Sequence, residues 1–401
     1  MTRALLLDAS FAAVPLYDAL VKSGCHVHVM GNRPHDPLAL RSPHYIEADY
    51  SDPCVVERTL SDKSFDFLVP GCNDLSYATC SALGGGKFYG LERSDQLACL
   101  HQKDQFRALC AKLGLPSPMR YHSVDDAVAS TNPIIIKPVD GFSGRGIATF
   151  LEPDPDRLNA ALASAKRQSP SGKVLLEHFV SGNLHSFSAF LRGGRVSHAF
   201  SVSEFSSVNP FVVDTSYVLF DNRWEATLAQ DLEKIAAETG IDSGLMHVQY
   251  IATEEQYWLI EITRRCPGDL YSKLIHLSTG YPYAEAYVSS FVGGMLPRND
   301  NLSNEIIVRH TVTGDESGYF DSVSIDSGCK IDAWFPLVQA GAHLKPSPGG
   351  RVGVGFMRAN DIHHRDILLE KLLGREVFGL RYAPPDTIGQ IESARRVNEK
   401  F

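Results

Sequence analysis

A lysine at the end of an apolar run, followed closely by a glycine-rich loop, is the arrangement in this chain with the clearest chemical meaning. Lys137 follows the β-branched residues 134–136, which predict a buried strand, and the loop spans residues 141–146. Lysine supplies a compact positive charge, and glycine lets backbone N–H groups come close to phosphate oxygens. We therefore predict a nucleotide-phosphate site at Lys137 and the loop; the alternative is a glycine-rich turn with a solvated lysine and arginine. The candidate loop contacts are Ser143, Gly144, Arg145 and Gly146.

The loop has the pattern of neither common phosphate loop. A P-loop requires Gly-Lys-Ser/Thr leading into a helix, and a dinucleotide fingerprint requires G-x-G-x-x-G opening a helix. Here residues 147–151 have the composition of another strand, so the loop is predicted to join two strands.

A second group of polar residues lies on a predicted hairpin near residue 255. With the turn centred on Glu255, Gln249 lies across from Glu261, and Thr263 and Arg265 continue the same polar stripe. A lone glutamate between apolar strand neighbours is costly unless it is paired. Carboxylate and amide oxygens suit Mg²⁺, which takes its other ligands from substrate phosphates. This polar stripe can therefore supply oxygen ligands to Mg²⁺, and a surface hairpin with incidental charges is the alternative.

Bulk properties limit the class of protein. A length of 401 residues suits two or three domains, and a net charge of -9 argues against a nucleic-acid partner. No apolar run reaches membrane-spanning length. The eight cysteines show no C-x-x-C spacing, which favours reduced thiols and a cytoplasmic location.

Strand and helix patterns alternate over residues 1–95, as expected for a parallel sheet. The first turn lacks the glycines of a dinucleotide site, so we do not expect NAD there. The predicted strands are 4–7, 25–30, 65–69 and 87–89, and the predicted helices are 14–22, 53–60 and 75–81. Later patterns predict helices at 224–239 and 365–373 and strands at 305–312, 330–337 and 352–358.

Taken in order, these motifs resemble the ATP-grasp superfamily. Lys103-Asp104-Gln105-Phe106-Arg107, followed by Gly114-Leu115-Pro116, is similar to the opening helix of that family, and the Lys137 loop is similar to its flap over the ATP phosphates. The hairpin is similar to the family's metal site, with glutamine first, as in the carbamoyl phosphate synthetase branch, and with Thr263 in place of the family's asparagine. The C-terminal region more loosely resembles L-amino-acid ligases.

The resemblance implies an α/β and α+β multidomain fold, in which a pre-ATP-grasp, Rossmann-like parallel sheet precedes an ATP-grasp fold. The implied domains are 1–95 (pre-ATP-grasp), 96–300 (ATP-grasp) and 301–401 (closing the core). Within the second domain, residues of about 117–182 would form a small lid, and about 183–300 the core.

The resemblance also implies roles for individual residues. Lys103 would contact the α- and β-phosphates, and Arg265 would act with Lys137 as a catalytic residue facing the γ-phosphate. The adenine hinge would comprise Glu177, His178 and Val180, with His185 at the ribose. Gly268 would form a sharp turn and Asp269 the next helix N-cap, and both, with Arg309 and His310, are candidate substrate contacts.

The implied function is an ATP-dependent carboxylate–amine ligase that uses Mg²⁺, with Mn²⁺ as an alternative metal, and an acyl-phosphate intermediate. Its partners would be a small carboxylate and an amine, such as amino acids or short peptides, with no nucleic acid or membrane; relatives suggest a homodimer by analogy. A regulatory ATP-binding protein and an ATP-grasp kinase are the alternatives. His247 and His310 are candidate bases, although structural histidines are the more common case, and Arg309 could equally form an ordinary buried ion pair.

Overall fold

The computed structural model describes residues 2–141, 144–298, 302–347 and 349–383. The chain divides into two compact units: Met1–Val202 with Leu219–Ser303, and Ser203–Val218 with Asn304–Phe401. The three-domain division of the sequence analysis stays a prediction.

The first unit begins with a parallel sheet of strand order β3-β2-β1-β4. Its strands are β1 (Arg3–Leu7), β2 (His26–Gly31), β3 (Tyr45–Glu47) and β4 (Phe67–Pro70). Its helices are α1 (Val14–Lys22), α2 (Pro37–Arg41), α3 (Pro53–Asp62) and α4 (Asp74–Gly84). Residues 4–7 of β1 are fully buried, as is typical of a parallel strand covered on both faces. The predicted strand–helix alternation is confirmed, although β3 and α2 were not predicted.

The predicted strand at residues 87–89 is wrong. The N–H groups of Lys87 and Phe88 both donate to the carbonyl of Gly84, which makes this segment a turn. Three successive glycines at 84–86 precede it, and glycine favours such turns over strands.

Two helices connect this sheet to the rest of the first unit: α5 (Ser94–His101) and α6 (Lys103–Leu113). The apolar face of α6 buries Phe106, Leu109 and Cys110 in the main hydrophobic core of the unit. Gly114 ends α6 in the left-handed conformation, with φ of 65°, which is typical of a glycine at a helix C-terminus.

A small antiparallel sheet of strand order β6-β5-β7 follows. Its elements are α7 (Val124–Ala129), β5 (Ile134–Pro138), β6 (Ala148–Phe150), α8 (Pro155–Gln168) and β7 (Val174–His178). The glycine-rich loop therefore joins the two antiparallel strands β5 and β6, as predicted. Lys137 is the next-to-last residue of the apolar strand β5, shortly before that loop.

A larger antiparallel arrangement, β12-β11-β8-β9, holds the predicted metal hairpin. Its elements are β8 (Asn183–Arg192), β9 (Arg195–Phe205), α9 (Glu225–Thr239), β11 (Ser243–Ala252), β12 (Tyr257–Thr263), α10 (Tyr271–Thr279) and α11 (Tyr283–Ser289), while β10 (Thr215–Val218) lies in the second unit. One face carries Phe187, Met246 and Val248 into a core shared with α6 and α9. Because side chains alternate along a strand, the intervening residues of β8 and β11 lie on the other face.

The second unit contains β10-β13-β17-β15 and β16-β14-β18. Its remaining elements are β13 (Ile307–Thr313), β14 (Gly318–Ile325), β15 (Ile331–Pro336), β16 (His343–Leu344), β17 (Arg351–Arg358), α12 (Ile362–Leu373) and β18 (Phe378–Tyr382). The predicted strands and the helix of this region are confirmed within a few residues. Within the described ranges, no helix has both the length and the apolar character needed to cross a membrane.

Candidate functional site

The hairpin of β11 and β12 brings the two best candidate metal ligands together. Gln249 pairs with Glu261, as the sequence predicted. Nearer the turn the register is shifted by one residue, so that Tyr250 pairs with Leu259. Ile260 is therefore the extra residue of a β-bulge. A bulge bends its strand and locally disrupts the hydrogen-bond ladder, and here it lies directly beside Glu261.

Lys103 lies beside the carboxylate of this hairpin. Its Nζ is 3.3 Å from Glu261 Oε2, and the Glu261 side chain is 44% exposed. The same ammonium donates to the carbonyl of Gly141, at the start of the glycine-rich loop, over 3.3 Å. The pKa of Glu261 is lowered, mainly by the positive charge of Lys103. This charge outweighs the opposing effect of burial. The first residue of α6 thus contacts both the hairpin and the loop.

A buried cluster of charge lies beneath the small sheet. Lys137 Nζ is 2.7 Å from Glu177 Oε2, with the lysine side chain 7% exposed and the glutamate 0% exposed. Arg107 Nε donates to the other oxygen, Oε1, over 2.7 Å. Burial raises the pKa of Glu177, but the two cations outweigh it and hold that pKa below the usual range. Burial is also the main cause that lowers the pKa of Lys137.

The Glu177 side chain therefore contacts Lys137 and Arg107 and does not face an open site. Any contact of Glu177 with adenine would have to come from its backbone, and the adenine hinge stays a prediction. At the neighbouring positions, the N–H of His178 donates to Met119. The N–H of Val180 has no acceptor in the described part of the chain, although Val180 is buried. A backbone N–H without a protein acceptor can donate to an acceptor on a ligand.

Arg107 contacts both parts of the site, although it was not among the predicted site residues. Besides Glu177, it contacts the hairpin, because its Nη2 donates to the carbonyl of Ile260 over 2.8 Å. The signal in the sequence was its spacing: Arg107 lies four residues after Lys103 in one helix, so both side chains occupy one face.

Arg265 is held by a carboxylate from the start of α4. Its Nε donates to Asp74 Oδ1 over 2.8 Å and its Nη2 to Oδ2 over 3.3 Å. Asp74 follows the carboxyl end of β4, and the side chain of Asn73 caps α4 by accepting from Ser76 N–H. Burial opposes ionisation of Asp74, but Arg265 outweighs it and keeps the pKa of that carboxyl below its usual value. Asp74 was not among the predicted site residues, although carboxyl ends of parallel strands are common ligand sites.

The glycine-rich loop is described on both sides of its tip. Gly144 and Gly146 have φ of 70° and 73°, a conformation that favours glycine. Arg145 between them is exposed. Ser143 lies outside the described residues.

His185 lies on the face of the sheet opposite to the candidate metal ligand Gln249. Its ring stacks on Tyr250 with centroids 5.2 Å apart. In the pairing of β8 with β11, His185 lies opposite Tyr250 and Ser186 opposite Gln249, so His185 and Gln249 occupy different faces. Burial lowers the pKa of His185 to about 4. The ribose contact stays a prediction.

The turn after Arg265 differs from the prediction. The N-cap of α10 is Leu270, with φ of 63°, and not Asp269. The Asp269 carboxylate does accept from the N–H of Tyr271, over 3.2 Å. At Gly268 a Cβ would lie 2.8 Å from the carbonyl of Cys72, so this glycine is required by a close backbone approach.

The remaining candidates are buried in local networks. His247 Nδ1 lies 2.7 Å from Ser188 Oγ, and burial lowers the His247 pKa to about 4. In the second unit, Arg309 donates to Thr311 over 2.6 Å, and His310 Nδ1 lies 2.7 Å from Thr215 Oγ1. Burial is also the main cause that lowers the pKa of His310 to about 4. These contacts are those of structural groups, and roles for them toward substrate stay predictions.

The hairpin fits a magnesium ion that takes most of its ligands from a substrate. Within the described ranges no group of three histidine, cysteine or acidic side chains could hold a metal alone. Glu261 and Gln249, paired on one face, supply hard oxygen atoms, which is the partial ligand set that Mg²⁺ uses with phosphates. Thr263 lies on the same face and pairs with His247.

Known proteins resemble this chain in sequence and in fold. Residues 130–273 match the ATP-grasp domain. The large chain of carbamoyl phosphate synthase from Neisseria gonorrhoeae is 23% identical over 320 residues, which cover 73% of this chain and 29% of that relative. The chain thus spans under a third of the length of this curated relative.

Two solved structures are similar over nearly the whole chain. Phosphoribosylglycinamide synthetase from Anaerococcus prevotii has a TM-score of 0.75 and 15% identity, covering 95% of this chain and 100% of that one. The L-amino acid ligase from Bacillus licheniformis has a TM-score of 0.74 and 16% identity, covering 96% and 99%. At this level of identity, the similarity shows the fold.

Proposed function

We propose that this chain, which is an ATP-grasp protein by its domain match and its fold, is an ATP-dependent carboxylate–amine ligase that forms ADP and phosphate. The observation that carries the proposal is the contact of Lys103 with Glu261, over 3.3 Å. It joins a predicted phosphate-binding lysine to the predicted metal carboxylate, although the two are far apart in the sequence. Lys137 and Arg265 lie in the same unit, each held by a carboxylate.

Each residue of the site would have a separate role in binding a polyphosphate. Lys103 and Lys137 supply positive charge, and the backbone of the loop at residues 141–146 would close over the phosphates and exclude water. Glu261 and Gln249 would hold Mg²⁺, which neutralises charge on the phosphates when it is bound. Arg265, oriented by Asp74, would stabilise negative charge on the phosphoryl group during transfer.

The proposed reaction has two steps. A carboxylate oxygen of the first substrate attacks the γ-phosphorus, and the bond to ADP breaks, which gives an acyl phosphate. The neutral amine of the second substrate then attacks the acyl carbon, phosphate leaves, and the amine loses a proton. The similarity to an L-amino acid ligase suggests amino acids for both substrates.

The test is a screen of amino acids in pairs for phosphate release, with product masses measured for active pairs. We expect ADP and phosphate to form only when both substrates are present, and the product mass to equal that of the two substrates less one water. AMP and pyrophosphate would refute the mechanism. ADP formation without an amine would favour a kinase, and ATP binding without turnover would favour a regulatory protein.

Matched variants make the screen specific to the site. Arg265→Met should abolish phosphate release. Lys112→Met removes an exposed cation of α6 that pairs with Glu238, and it should leave phosphate release unchanged.

A further inference from the structure

We infer that Arg107 is a positioning residue, which couples the phosphate-binding lysine of the small sheet to the metal-binding hairpin. The inference rests on the proposed function, because it assigns Arg107 a role in binding magnesium nucleotide. Arg107 itself is 4% exposed and is not proposed to touch the substrate.

The first observation is that Arg107 connects two separate parts of the site. Its Nε donates to Glu177 Oε1 over 2.7 Å, and Glu177 in turn contacts Lys137. Its Nη2 donates to the carbonyl of Ile260 over 2.8 Å. The guanidinium is planar and presents its donors in a rigid fork, so it fixes these two acceptors relative to each other.

The second observation is the position of Ile260. This residue is the bulge of β12, where the strand ladder is disrupted, and Glu261 follows it. Since the bulge restores the register that places Glu261 opposite Gln249, support of its carbonyl by Arg107 stabilises the metal ligand. Residues that support metal ligands in this way typically change metal affinity by about 10–100-fold when they are removed.

The third observation is the charge of the buried cluster. Arg107 and Lys137 carry two positive charges against the single negative charge of Glu177. Arg107 Nη1 is buried and has no hydrogen-bond partner in the described part of the chain. A buried excess of positive charge is costly, and an anion bound nearby offsets that cost. The cluster therefore favours a polyphosphate over an empty site.

The test is calorimetric titration of ADP with and without Mg²⁺. We compare wild type with Arg107→Met, Arg107→Lys and the control Lys112→Met, which removes an exposed lysine of the same helix. Arg107→Met leaves a neutral Lys137–Glu177 pair and should fold. Lysine at 107 keeps the charge but lacks the rigid fork, so it provides a second variant if methionine prevents folding.

We expect Mg²⁺ to increase the ADP affinity of wild type and of the control. In both Arg107 variants that increase should be smaller by roughly tenfold or more. A structural ion pair with no part in coupling would lower the melting temperature and leave the ratio of affinities with and without Mg²⁺ unchanged. An unchanged ratio in folded variants would overturn the inference, whereas failure of wild type to bind ADP would instead overturn the proposed function.

The pH dependence of ADP binding is an independent readout. The charge of Arg107 contributes to the lowered pKa of Lys137, after the larger effect of burial. Loss of the Lys137 charge weakens ADP binding as pH rises. Removing Arg107 should therefore shift this alkaline loss of affinity to higher pH in Arg107→Met but not in Arg107→Lys. Identical alkaline profiles in wild type and Arg107→Met would contradict the inference.

Discussion

The charge balance of the buried cluster gives a sharp test by substitution of Glu177. Glu177 is the only anion of the three, and its side chain is 0% exposed. Glu177→Gln preserves the shape of the side chain but leaves Arg107 and Lys137 as two buried cations without a counter-ion. Lys137→Met, in contrast, leaves a neutral ion pair between Arg107 and Glu177.

The expected cost of the two substitutions differs. Removing the shared partner of buried charges costs about 3–5 kcal/mol, so Glu177→Gln should lose at least about 3 kcal/mol of unfolding free energy. Lys137→Met loses one contact of 2.7 Å to a charged oxygen, for which about 1–3 kcal/mol is typical, and it also removes the surplus positive charge. We therefore place its cost at about 1 kcal/mol.

Urea denaturation of wild type and both variants measures these costs. An equal slope of unfolding free energy against urea concentration would confirm that the three transitions are comparable. The sign of the pH dependence adds a second check. Burial lowers the pKa of Lys137, and Glu177 opposes this shift, so Glu177→Gln lowers the pKa further. In Glu177→Gln, the unfolded chain then binds more protons than the folded chain over a wider range of pH. Because stability rises with pH wherever the unfolded state binds more protons, the free energy of unfolding of Glu177→Gln should increase as pH rises. If Glu177→Gln is no more destabilised than Lys137→Met, Glu177 is not the required counter-ion of the two buried cations.

Four further substitutions test the roles proposed for the site. Lys137→Ala should abolish phosphate release while circular dichroism shows a folded protein; near-normal activity would exclude Lys137 as a phosphate ligand. Asp74→Asn should lower kcat by about 10–100-fold with little change in ADP affinity, because Arg265 loses its charged partner, and an unchanged kcat would contradict this role. Lys103→Met should raise the pKa of Glu261, so that on acidification Mg²⁺-dependent ADP binding is lost at a higher pH than in wild type. Glu261→Gln should remove that acid dependence. Identical loss of binding at acidic pH in wild type and Lys103→Met would contradict the assignment.

Much of the fold could be predicted from local patterns. Helix α1 was predicted at its observed bounds, since its apolar spacing and its flanking residues are local signals. The pairing of Gln249 with Glu261 was also correct. The bulge at Ile260 was not predicted. A turn one residue longer without a bulge, and the observed turn with a bulge, both place Gln249 opposite Glu261, so the sequence spacing does not distinguish them. The segment at 87–89 failed because a short apolar run carries little information beside a run of glycines.

The sequence by itself determined which residues share a strand end, a helix face or a hairpin face, because those relations follow from backbone periodicity. Together with the resemblance of these motifs to the ATP-grasp superfamily, those relations were enough to select Lys103, Lys137 and Glu261 as candidates and to predict an ATP-grasp fold. Only the tertiary structure decided what neutralises and orients the charges. Glu177 lies 70 residues from Arg107, and Asp74 lies 191 residues from Arg265. No periodicity relates residues so far apart, and burial, which makes their pairing necessary, exists only in the folded chain.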